Sequence, residues 1–164
     1  MLLEILWAAV STFAFGIIFN LKGKKLFCAS AGGALGWAVY IFFKYNGSSI
    51  PASFLYSSIA ITIYSEIIAR FLKTPVTSTL IASLIPLVPG SGVYFTMSYL
   101  VENKIEEAVA KGTETILITV AITVGIVFVS TFSQIYYKIR RYNKIKKKID
   151  LRNSIKLKKQ INKF

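Results

Sequence analysis

The chain has 164 residues, 54% hydrophobic and 16% charged, at a mean hydropathy of +0.58; that is too apolar for a water-soluble domain of this size and marks a single-domain integral membrane protein. It holds no histidine and one cysteine, Cys28, so an internal disulfide is excluded, and neither a Cys/His metal site nor a cofactor is expected. Of the net charge of +13, residues 138–164 supply +11 (twelve Lys/Arg against one acid, Asp150) and residues 1–137 only +2 (eight Lys/Arg against six glutamates); an excess that directly follows a hydrophobic run selects anionic lipid headgroups over nucleic acid as its neighbour.

Five hydrophobic segments predict an all-α membrane fold. The first covers about residues 2–19 and includes Gly16. Its Met-Leu-Leu-Glu start lacks the positive flank of a cleaved signal peptide, and the apolar run is longer than a signal core. Lys22, Lys24 and Lys25 lie in the connection to the second segment, about residues 26–43. There Gly32 and Gly36 stand at G-x-x-x-G spacing, which invites close approach of another helix. Cys28 in the same run reads as a small packing residue. Asn46-Gly47 and two serines signal a turn into the third segment, about residues 51–69. At its end Glu66 and Arg70 share one helix face. Two readings stand side by side: an interfacial salt bridge with Arg70 snorkelling to headgroups, or a pair at membrane depth in which Glu66 binds a proton or turns Arg70 toward an anionic substrate.

The fourth segment, residues 75–101, contains "IPLVPGSGVYF", Ile85 to Phe95. Thr74 and Pro75 predict an N-cap followed by a proline in the first turn. A straight helix over this length would run ~40 Å against a hydrocarbon core of ~30 Å. Pro86 and Pro89 lack amide hydrogens, so the carbonyls of Ala82 and Ile85 lose their usual helical partners. Gly90 and Gly92 relax the backbone and admit positive φ. The expectation is a span that stops and restarts. The free amides near Ser91 and Gly92, at the positive end of the second half, would cradle a carboxylate, with the hydroxyls of Ser91, Tyr94 and Thr96 as further partners. Discontinuous helices of this kind recur at the substrate sites of secondary transporters. The alternative is a proline kink that only shapes packing.

Residues 102–114, with four glutamates and two lysines, read as a polar loop. The fifth segment is about residues 115–137; Ala121 and Gly125, and Thr115, Thr119 and Thr123 at helical spacing, suit helix packing. Residues 138–164 read as a basic cytoplasmic tail, spacing Tyr142, Ile145 and Ile149 among lysines and lying on anionic lipid. No nucleic-acid-binding module is recognisable. If the fourth segment crosses once, the loop at residues 20–25, the loop holding Arg70 and Lys73, and the tail share one side. That gives five spans, an outside N-terminus and a cytoplasmic C-terminus. A re-entrant hairpin would put the tail opposite the other basic loops. No base accompanies the serine of Gly-Ser-Gly, and no phosphate loop or paired acids within a span are present, so no enzyme is expected.

"SEIIARFLKTPVTSTLIASLIPLVPGSGVY", Ser65 to Tyr94, resembles the threonine/serine exporter family, and most closely the small integral-membrane subunit of its split form. The resemblance covers about residues 5–135, through "FAFGIIFN" and "GGALGWAVY" to Gly112 and Gly125. The family motif falls on Glu66, Arg70, Lys73, Pro75, Pro86, Pro89, Gly90 and Tyr94. The resemblance implies secondary transport in a bacterial inner membrane, exporting small carboxylate-bearing metabolites: threonine- and serine-type amino acids or dicarboxylates. It also implies a larger membrane subunit of the same family as partner, with the family's hydrophilic domain belonging to that half. A second copy of the chain is another candidate partner. The substrate-contacting candidates are then Gly90, Ser91, Gly92, Tyr94, Glu66 and Arg70. The competing reading is an assembly subunit that stabilises its partner without touching substrate.

Overall fold

The computed structural model describes the backbone of residues 1–161 and the side chains of residues 1–142, 145 and 146. Its regular structure is helical: α1 (Leu2–Ile18), α2 (Lys24–Tyr45), α3 (Ile50–Phe71), α4 (Val76–Leu84), a 3₁₀ turn (Ile85–Leu87), α5 (Gly90–Val101) and α6 (Ile105–Ile161). Helix is what hydrocarbon demands of an apolar chain, because it satisfies every backbone N–H and C=O locally. The chain divides into two units, Met1–Val129 and Ser130–Phe164. The second is helical as far as Ile161 and exposes Tyr136, Ile139, Tyr142 and Ile145. The side chains of Ile149 and Asp150 lie outside the described residues.

Helices α1, α2, α3 and α5 end in one hydrogen-bonded motif, with a left-handed residue just past the C-cap. Asn20 (φ 57°), Gly47 (φ 82°), Lys73 (φ 51°) and Asn103 (φ 57°) take that position. At α3, the Lys73 amide donates to Arg70 O (3.4 Å) and the Thr74 amide to Ala69 O (2.9 Å). Lys73 holds this conformation at a steric cost of about 1–2 kcal/mol that glycine would not incur.

Two local expectations are corrected. Thr74 does not cap α4: Pro75 itself is the N-cap, the helix begins at Val76, and the Thr74 hydroxyl is buried without a hydrogen-bond partner among the described residues. The polar stretch 102–114 is mostly helix. Only residues 102–104 separate α5 from α6, and Glu106 and Glu107 occupy the first turn of α6, where the helix dipole favours anions. In that short loop a hydrogen bond from Lys104 (2.7 Å), assisted by one from Ser98, holds the Glu102 carboxyl below the usual carboxylate range.

Helix α2 is the hub, packing on α1, α3, α4 and the 3₁₀ turn. Its glycines lie at the contacts. A Cβ on Gly33 would strike Thr12 of α1; on Gly32, Ser83 of α4 and Tyr64 of α3; on Gly36, Ile61 of α3 and Leu87 of the turn. Gly16 of α1 lies against Leu26, and Gly125 of α6 against Ser58 and the Leu55 carbonyl of α3. Each glycine gives up about 1 kcal/mol of helix propensity, and in return the backbones approach closely enough for hydroxyls to reach carbonyls across helices. Ser57 Oγ donates to Gly36 O (2.5 Å), Ser83 Oγ to Ala29 O (3.0 Å), Tyr64 Oη to Cys28 O (2.9 Å) and Ser30 Oγ to Ala9 O (2.7 Å). Within a membrane such bonds average about 0.6 kcal/mol each. Tyr40, Ile41, Phe54, Ile61, Leu80, Leu87 and Ile118 form the apolar core around this framework.

By length and composition, α2, α3 and residues 105–142 of α6 are candidate membrane spans, and the α4–α5 pair, bent by 49°, makes a fourth if it is one broken span. Helix α1 is apolar but only 17 residues long. That is ~26 Å of helix, a little under the thickness of the hydrocarbon core.

Candidate functional site: the helix break

The break is built from three local turns. Ile85 N–H donates to Ala82 O, and Val88 N–H to Ile85 O at 3.2 Å, so the carbonyls that the prolines deprive of helical partners are taken by shorter 3₁₀-type bonds. Pro89 (φ −76°, ψ 55°) then forms an inverse γ-turn, with Gly90 N–H donating to Val88 O at 2.7 Å. Its own carbonyl accepts from Val93 N–H at 3.2 Å and starts α5. The expected loss of carbonyl partners is therefore repaired within the turn. The first-turn amides of α5, at Ser91 and Gly92, remain the helix's donor end.

The glycines work differently from expectation. Neither Gly90 nor Gly92 has positive φ; among glycines of the described residues only Gly23 and Gly47 do. Gly92 is buried because α5 crosses α6 there, and a Cβ would collide with the Thr115 hydroxyl. Gly90 faces open space. Ser91 is exposed, and Tyr94 is 68% exposed with its ring edge on Phe95. The Thr96 hydroxyl is returned to its own helix, donating to Gly92 O at 2.7 Å. Thr115, Thr119 and Thr123 likewise donate to carbonyls one turn back in α6.

Depth is set by Leu87. It is fully buried in the turn between the two prolines, beside Gly36 and in the same core cluster as Ile61. Gly36 and Ile61 lie near the midpoints of α2 and α3, so the break stands halfway along the bundle's long helices. Glu66 and Arg70 form an ion pair at 2.7 Å, with the carboxylate side chain 13% and the guanidinium 38% exposed. They sit ~8 and ~14 Å farther along α3 than Ile61. The pair therefore belongs to the end of α3, while Ser91 and Tyr94 belong to the outward face of α5.

What the structure brings to the break is a different set of residues. A cleft of about 370 Å³ is lined by Glu4, Trp7, Ala8 and Ser11 of α1, Trp37 of α2, and Pro86 of the turn. The Trp37 indole N–H is buried without an acceptor among the described residues. Sequence reasoning passed over Glu4, Trp7 and Trp37. The available signal was that Glu4 is the one acid in the first apolar run and that both of the chain's tryptophans fall in its first two helices.

These features define a multi-pass α-helical membrane protein with one bent helix pair, a device that recurs in secondary transporters. The sequence profile described as Threonine/Serine exporter, ThrE, matches residues 4–132, which is most of the chain. The chain belongs to the threonine/serine exporter family, a family of membrane transporters and not of enzymes. No curated protein sequence and no solved structure gives a significant match.

Proposed function

We propose that this chain is the small subunit of a two-component secondary transporter that exports threonine- or serine-type amino acids, or dicarboxylates, together with a larger membrane subunit of the same family. The observation that carries the reading is the break at Pro86–Pro89, halfway along the long helices, with the donor end of α5 beside it. Irregular backbone survives at membrane depth only where protein buries it or water reaches it, and a solute path supplies the water. In this reading α1 and the α4–α5 pair each cross once, giving five spans in a bacterial inner membrane with the N-terminus outside. The basic segment from residue 138 then lies at the cytoplasmic, anionic lipid surface.

A second reading has one observation in its favour. Of α5 only Gly92 is buried within the chain, so this helix offers a face that a larger subunit would cover, and a purely assembling subunit would need no more. Efflux from vesicles containing the larger subunit, with and without this chain, separates the two when run on labelled threonine, serine and succinate. The transporter reading expects saturable efflux that needs both chains and falls when Ser91 is replaced by leucine in an assembled complex. Efflux indifferent to Ser91→Leu would favour the assembly reading, and efflux by the larger subunit alone at the full rate would exclude the transport role.

A further inference from the structure

The elbow between α3 and α4 leaves two needs unmet one residue apart. The Thr74 hydroxyl is buried with no hydrogen-bond partner among the described residues. The first turn of α4 has no side-chain cap, because its N-cap is Pro75, whose side chain offers no acceptor. A threonine at the N-cap accepts from the amide two or three residues on. For Thr74 those are the amides of Val76 and Thr77, so one rearrangement would meet both needs.

One torsion separates the two arrangements. Pro75 stands at φ −58°, already helical, and at ψ 137°, which is extended. Turning ψ to about −42° would make Pro75 the first residue of the helix, the position proline favours. The residue before a proline is steered to extended backbone, which is the conformation an N-cap takes. Local preference therefore points to a helix one residue longer, while packing holds the shorter one. Thr79, Leu80, Ala82 and Ser83 are buried, and Ser83 Oγ donates to Ala29 O of α2 at 3.0 Å. On the α3 side, Lys73 is kept at φ 51° and the Thr74 amide closes the helix on Ala69 O at 2.9 Å. Opposed preferences at a few loop residues are what a hinge requires. The consequence reaches the break. Helix α4 has nine residues and runs directly into the 3₁₀ turn that holds Pro86 and Leu87. A half-turn at Pro75 redirects the chain entering α4 and carries that turn with it.

We propose that the α3–α4 elbow is a capping switch. Helix α4 begins at Val76 in the state seen here and at Pro75, under a Thr74 cap, in a second state; the exchange moves the helix break relative to α2. Its use in transport rests on the transporter reading, whereas the exchange itself does not. Spin-label distances between Phe42→Cys on α2 and Ile81→Cys on α4, both exposed positions, report it for the full chain in nanodiscs, with Cys28→Ala removing the native thiol. Two distance populations are expected. Thr74→Val keeps the shape and removes the hydroxyl, so the second population should fall at least about fivefold, with no loss of thermal stability because the unpaired buried group is gone. Thr74→Asn, a stronger cap, should enlarge that population, and Thr74→Ser should retain both. One distance shared by wild type, Thr74→Val and Thr74→Asn, or two populations whose ratio ignores residue 74, would overturn the proposal. Efflux measured in parallel separates the two ideas. Populations that follow residue 74 in a complex that exports nothing defeat the transporter reading and leave the switch; export alongside one fixed distance defeats the switch and leaves the transporter.

Discussion

The contact between Gly32 and Ser83 fixes the first half of the broken span against the hub helix, and it can be tested atom by atom. In Gly32→Ala the new methyl meets Ser83 Oγ, with Tyr64 Cε1 at 3.0 Å and Ser83 Cβ at 3.1 Å. Ser83 is fully buried, so its hydroxyl can move only by giving up the bond to Ala29 O. Overpacking and the stranded hydroxyl together cost about 2–3 kcal/mol, and alanine returns about 1 kcal/mol of helix propensity. The net loss is then about 1–2 kcal/mol. Ser83→Ala alone removes one interhelical bond worth about 0.6–1.7 kcal/mol. In that background the obstructing oxygen is gone, while Tyr64 Cε1 and the Cβ of residue 83 remain within about 3.1 Å, so Gly32→Ala should cost less than it does with Ser83 in place, by about 1–2 kcal/mol. Thermal unfolding followed by fluorescence-detected size exclusion reads this as a double variant whose midpoint lies above the sum of the two single losses. Gly32→Ala alone should fall by about 2–8 °C. Simple additivity of the two single changes would refute the close approach of α2 and α4 at this point.

Two further outcomes follow from backbone geometry. Lys73→Gly should raise stability by about 1 kcal/mol, because the residue occupies a left-handed position, and Lys73→Val should lower it; thermal midpoints of the two variants moving the same way would contradict the motif that ends α3. Gly90→Ala should leave stability within about 0.5 kcal/mol of wild type, because its Cβ would meet open space, while Gly92→Ala should lose about 1–3 kcal/mol against Thr115. Denaturation of the two variants side by side checks the contrast.

Much of the helical plan was legible because its signals are chemical and local. Two prolines remove two backbone donors wherever they lie, so the interruption between residues 85 and 90 could be read directly from sequence. The repair could not: whether Ile85 and Val88 amides turn back to shorter-range carbonyls depends on how tightly the neighbouring helices hold the turn. Gly92 illustrates the same limit. A glycine can serve a positive φ or a close approach, and only the position of Thr115 on another helix decides which. The stretch 102–114 was misread as loop because its charges outweigh its helical propensity in a hydropathy reading, although Glu106 and Glu107 suit a helix N-terminus. Glu66 and Arg70 were readable as a pair from spacing, but their distance along α3 from the break was not. The cleft was the least visible feature, since Glu4, Trp37 and Pro86 are far apart in sequence and meet only because α1, α2 and the 3₁₀ turn converge.

The central claim is that the interruption in the fourth segment serves transport and is more than a bend between packed half-helices. Pro86→Ala/Pro89→Ala restores both missing backbone donors and favours a straight helix. The decisive measurement is the rate of labelled threonine efflux from vesicles holding this variant with the larger subunit proposed as its partner. Assembly is verified by co-purification, and straightening by spin-label distances between α4 and α5. At least a tenfold loss of efflux is expected in an assembled, straightened complex. Efflux at the wild-type rate in that same complex would contradict it.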